Sequence, residues 1–189
     1  NFTKFQEGIT EIRVLLENGE APYMRWTHWM RQFSRKITCP GKGCPIDDLI
    51  RTAKASKAPA PYASSKSFSF NIWNYATNQH EIMEEGVTMV EALQDYLSET
   101  FEEFAEESKD FNIKDLIIKV RKKKNSSGKF VWSFSLKQVE PMSGDVLKAF
   151  ENRYDFAEYY TPPTIEQVEQ LLEVSASNAK EYVDKYNEI

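Results

Sequence analysis

The chain has 189 residues, 24 Lys/Arg against 29 Asp/Glu, a net charge of −5 at neutral pH, 41% hydrophobic residues and a mean hydropathy of −0.58. That composition suits one compact soluble domain with an appended helical piece, and no apolar run approaches the roughly 18 to 20 residues a membrane helix needs. Two cysteines, both in one short turn, exclude the disulfide framework of a small secreted protein and point to a reducing compartment, the cytoplasm, or the host cytoplasm if the chain is viral.

The opening Asn1-Phe-Thr-Lys lacks the apolar run of a signal peptide, and a first residue other than Met suggests a start inside a longer polypeptide. Charge is distributed in blocks. Residues 21–79 carry 9 Lys/Arg against 2 Asp/Glu and residues 113–139 carry 8 against 1, whereas residues 80–112 carry 1 against 11. Because counterion release depends on local cation density, a chain with an acidic total can still bind nucleic acid through a basic face.

In chain order, Glu11 to Leu16 reads as a strand ended by Asn18-Gly19. Tyr23 to Arg31 alternates, with Met24, Trp26, His28 and Met30 on one face and Tyr23, Arg25, Thr27, Trp29 and Arg31 on the other. Phe33 to Thr38 is placed to pair back on it, and the turn Cys39-Pro-Gly-Lys-Gly-Cys44-Pro-Ile-Asp47 follows. Asp47 or Asp48 suits a helix N-terminus, with the helix running to Lys57 until Pro59 and Pro61 stop it.

Lys66 to Tyr75 is the next strand, with Phe68, Phe70 and Ile72 facing a core and Trp73 and Tyr75 facing a ligand. Thr77-Asn78 turns the chain into Glu81 to Glu84. Val87, Val90, Leu93, Leu97, Phe101 and Phe104 then recur at helical spacing beneath a negative outer face. Leu116 to Lys124 and Lys129 to Gln138 read as a hairpin around Asn125-Ser-Ser-Gly128, and a last helix starts at Ile165.

Short strands, one connecting helix and rings on non-core faces predict a mainly β fold with helices, an OB-type Greek-key barrel. Residues 1–140 form that barrel, with an insertion at about 28–58, and residues 141–189 form an acidic helical segment packed on or beside it. Such barrels bind single strands by stacking bases on exposed rings in a basic groove.

Trp26-Thr-His-Trp29 followed by Cys39-Pro-Gly-Lys-Gly-Cys44-Pro-Ile-Asp47 resembles the single-stranded-DNA-binding proteins of tailed bacteriophages. The segment order over residues 4–138 is similar too. The resemblance implies an OB-fold with a zinc insertion, coating of replication and recombination intermediates with cooperative self-association, and acidic surfaces that contact replication or recombination proteins. It implies His28, Cys39, Cys44 and Asp47 as zinc ligands, with Asp47 standing where the family pattern has Cys. Zinc accepts one nitrogen, two thiolates and a carboxylate, although structural sites favour Cys and His. The alternatives are two reduced cysteines in a metal-free turn, or a disulfide.

The expected nucleic-acid contacts are phosphate holding by Arg25, Arg31, Arg35, Lys36, Lys66, Arg121, Lys122 and Lys123, and base stacking by Tyr23, Trp29, Trp73 and Tyr75. Trp26, Phe68, Phe70, Phe130 and Phe134 are expected in the core. No G-x-S-x-G context or phosphate-binding loop is present, and the acids of residues 81–110 lack His partners, so an enzyme is not expected. The rival reading is an OB-fold protein-interaction adaptor of a replication complex that does not itself bind nucleic acid.

Overall fold

The computed structural model describes residues 1–30, 35–60 and 62–173, with Arg35 described in its backbone only. The elements in order are β1 (Gly8–Val14), β2 (Tyr23–Met30), β3 (Arg35–Thr38), α1 (Pro45–Ala55), β4 (Ala63–Asn74), β5 (Gln79–Glu85), α2 (Val87–Glu106), β6 (Leu116–Lys124), β7 (Phe130–Val139), α3 (Gly144–Glu151) and α4 (Phe156–Tyr159). Two compact units emerge: Asn1–Met24 with Ser67–Tyr159, and Arg25–Lys66 with the residues from Tyr160 onward. β2 and β4 run through from one unit to the other.

The first unit is a sheet in the order β5-β4-β1-β6-β7, with antiparallel neighbours throughout. Its strands are rich in β-branched and aromatic residues, and alternation divides them between two covered faces. On one face Ile12, Val14, Phe70, Ile72, Leu116, Ile118 and Val120 meet Met89, Val90, Leu93 and Phe104 of α2. Each such side chain removed from water contributes about 1.5 to 3 kcal/mol, which is why α2 seats on its apolar stripe. The outer side of α2 keeps Glu91, Asp95, Glu99, Glu102, Glu103 and Glu106 exposed. α2 ends where Ser108 takes φ 53° and the Lys109 N–H reaches back to the Phe104 carbonyl at 2.9 Å, so the last turn's acceptors are met.

On the opposite face Leu15 and Trp73 pack against Ala149 of α3, with Tyr75, Met142, Val146 and Phe150 around them. Arg13, 1% exposed, is held there by Tyr75 Oη at 3.1 Å, the carbonyls of Lys114 and Glu140, and the Glu140 carboxylate.

The antiparallel α+β class agrees with the sequence; closure into a barrel does not. A barrel needs its outermost strands to pair. Here β6 pairs with β1 and β7, and β7 is left as an edge among the described residues, so the sheet stays open.

In the second unit β3 pairs antiparallel with β2, joining Thr27 to Thr38 and Met30 to Arg35, and β2 in turn pairs with β4. Its core is small: Met30, Cys44, Ile46, Ile50 and Val168 are buried, flanked by Ile37, Cys39, Tyr62, Leu171 and Leu172. Val168, Leu171 and Leu172 come from helical residues 165–173, where the sequence places the start of the last helix; Ala179, Tyr182, Val183 and Tyr186 lie outside the described residues.

Candidate metal centre and binding surface

The metal cluster is assembled by a turn that only glycine makes easily. Gly41 and Gly43 sit at φ 92° and 86°, in the left-handed region, and the Cys44 N–H closes the loop on the Gly41 carbonyl at 3.1 Å. That fold brings Cys39, just after β3, back beside Cys44, the N-cap of α1. Pro45 then starts the helix with its φ already set. Asp47 is three residues on, so its carboxylate lies on the same side of the first turn as the Cys44 sulfur. His28 reaches the cluster from β2 and is fully buried.

One ligand atom from each of His28, Cys39, Cys44 and Asp47 lies within 4.8 Å of the others. His28 Nε2 is 3.4 Å from Cys44 Sγ and 3.8 Å from Asp47 Oδ1, and Cys39 Sγ is 3.4 Å from Asp47 Oδ2. A tetrahedral ion with bonds of about 2.0 to 2.3 Å separates its ligand atoms by about 3.3 to 3.8 Å. These three separations match, and the four groups lie close enough together to hold a metal ion. Both cysteines are free thiols in the structure.

Electrostatics act on the two kinds of ligand in opposite directions. Burial lowers the His28 pKa, only partly offset by the Asp47 charge, so the imidazole is neutral at neutral pH, the form that ligates. Burial pushes the Cys39 thiol up to about 12; the Gly41 N–H pulls it down, and the hydrogen bond of Asp47 with the charges of Cys44 and Asp47 add to the rise. A divalent cation reverses that order, because a coordinating thiol is deprotonated outright. His28 Nδ1 is buried with no hydrogen-bond partner among the described residues, where a metal-ligating histidine usually hands that nitrogen to an oxygen.

No family model, curated protein or solved structure matches the chain. Its chemistry is therefore read from its own side chains. No helix among the described residues is long and apolar enough to cross a membrane.

Of the rings expected to stack, Trp29 is 39% exposed and stands directly across from Lys36, itself exposed. Tyr23 is half-buried, its ring 5.9 Å from that of Phe156. Trp73 and Tyr75 do not face a ligand. Trp73 is 6% exposed under α3, and Tyr75 lies in the same cluster with its hydroxyl accepting from Arg13. The ligand face expected of β4 is a second core face, because a helix about seventy residues later covers it.

The cations divide similarly. Arg25 is buried, its guanidinium 3.4 Å from the centre of the Tyr160 ring, so it packs inside its unit and does not face a strand. Lys122 turns inward, donating to the Phe5 carbonyl at 3.0 Å and lying over the Phe130 and Trp132 rings. Arg121 and Lys123 are exposed on the other face of β6, in line with Lys119 at two-residue intervals and across from Ser133, Val131 and Ser135. Lys66 is exposed near the Trp26 ring. Arg31 lies outside the described residues, as does the side chain of Arg35.

Two expected core rings prove exposed, Trp26 at 49% and Phe130 at 44%. β2 explains the first. Its alternation holds, yet Thr27 and His28 are both buried, so the covered face changes halfway along the strand. Trp26 and Trp29 are left in the open on opposite faces. Trp26 is thus an exposed ring that alternation assigns to the core; the Cys39 N–H donating to its carbonyl at 2.8 Å is the link to the cluster that the sequence could not announce.

Proposed function

We propose that the chain binds single-stranded DNA without catalysis, through a second unit whose order rests on zinc held by His28, Cys39, Cys44 and Asp47, as the likeness to phage single-stranded-DNA-binding proteins implies. The observation that carries this reading is the Trp29–Lys36 pair. An exposed tryptophan and an exposed lysine stand opposite each other on adjacent strands, a base-stacking surface beside a cationic residue. The Lys119, Arg121 and Lys123 row supplies cations about 6.6 to 6.8 Å apart along one strand, a backbone-tracking row in the first unit. Zinc suits the donor set because it takes nitrogen, thiolate and carboxylate in tetrahedral order and has no redox chemistry to damage a bound strand.

The protein should show tryptophan quenching on titration with oligo-dT and bind duplex more weakly. Affinity should fall steeply with salt, with a log–log slope of about −0.7 per phosphate engaged. Trp29→Ala should weaken oligo-dT about fivefold or more, the equivalent of losing one stacked base. No quenching and no salt dependence would remove single-strand binding and favour the adaptor reading.

A further inference from the structure

Beside the metal cluster, on the face of β2 opposite Trp29, the second unit has an open pocket of about 560 Å³. That size lies within the range of small-molecule sites. Trp26 forms one wall and Ile50, 9% exposed, is apolar lining; Arg51, Lys54 and Ser64 supply two cations and a hydroxyl. Asp47 is the one acid among the described lining residues; a divalent ion shared with His28 and two thiolates would leave the cluster at a net −1, against the two positive charges of Arg51 and Lys54. Arg51 also pairs with Asp48 at 3.1 Å, but both are largely exposed, and such a pair is worth little.

The lining asks for a ligand that is flat and aromatic on one side and anionic on the other. An indole about half in water pairs best with another π-face, and two cations on one helix suit phosphate. We propose that this pocket is a nucleotide subsite, in which one base of the bound strand stacks on Trp26 while its phosphate lies against Lys54 and Arg51. The subsite rests on the single-strand reading above and adds to it a discrete position, built against the metal cluster.

The test is fluorescence anisotropy of labelled oligo-dT with zinc-loaded wild type, Trp26→Ala, Trp26→Phe, Lys54→Gln and Trp29→Ala. Trp26→Ala should weaken binding about fivefold or more, and Trp26→Phe should restore most of it, since a phenyl ring still stacks. Lys54→Gln, on the exposed side of α1, should weaken binding and make the salt slope shallower by about 0.7. It keeps the question answerable if Trp26→Ala fails to fold. Wild-type affinity in Trp26→Ala and Lys54→Gln, with Trp29→Ala weakened, would overturn the subsite and leave strand binding standing. Absence of binding by wild type itself would overturn both.

Discussion

The two units solve the problem of staying folded differently. The first buries both faces of a five-stranded sheet, one under α2 and one under α3, so its order comes from apolar area. The second has only a handful of buried apolar side chains, one of them Cys44, and at its centre lie a buried imidazole, two thiols and a carboxylate. A core that small does not usually hold unaided a unit made of Arg25–Lys66 and the residues from Tyr160 onward; a metal held by those four groups would supply what the apolar area lacks. The price of spending so little surface on a core is also an opportunity, because Trp26 and Trp29 stay in water on both faces of one strand.

The tryptophans sharpen that contrast. Trp73→Ala should destabilise the first unit by about 3 to 5 kcal/mol and leave oligo-dT affinity unchanged, the reverse of what Trp29→Ala should do. Trp73→Phe should cost far less, because the indole N–H is buried without a partner among the described residues and removing it relieves an unmet donor. A loss of affinity in correctly folded Trp73→Phe would break the division of labour.

A smaller effect concerns acid. Burial of Glu81 raises its pKa, but hydrogen bonds from Thr3, Asn74 and Thr77 outweigh burial, and the net position is below the ordinary carboxylate value. A folded pKa below the unfolded one means the stabilisation is complete above the unfolded value and is lost as pH falls through the folded one. Glu81→Gln should cost about 1 to 3 kcal/mol at pH 7 by urea unfolding, and the gap from wild type should begin to narrow as pH falls below the ordinary Glu value of about 4.3. A constant gap across pH would show that Glu81 acts by shape and not by charge.

Much of this was legible in the chain. The spacing of Val87 to Phe104 gives α2 nearly to its ends, and Asn125-Ser-Ser-Gly128 places the β6–β7 hairpin within a residue or two, since helix periodicity and turn chemistry are local. The ligand set was legible because Cys39, Cys44 and Asp47 share one tight turn, with His28 alone called from a distance. What failed was the expectation that the Trp73 and Tyr75 face of β4 is open and that Trp26 and Phe130 are covered. Alternation sorts Trp73 and Tyr75 from Phe70 and Ile72, yet says nothing of α3, which closes over them. Within β2 the cover changes sides between Thr27 and His28, so Trp26 and Trp29, on opposite faces, are both exposed. Barrel closure was likewise a long-range matter, decided by what β7 lacks and not by any residue in it.

Hydrogen exchange of the zinc-loaded protein, before and after treatment with a strong chelator, tests the central claim most directly. Stripping the metal should abolish protection across Tyr23–Met30 beyond Met24, Arg35–Thr38 and Pro45–Ala55, while Gly8–Val14 and Leu116–Lys124 exchange as before. Identical exchange in the two samples would mean that the second unit stands without its four ligands, and would contradict the account.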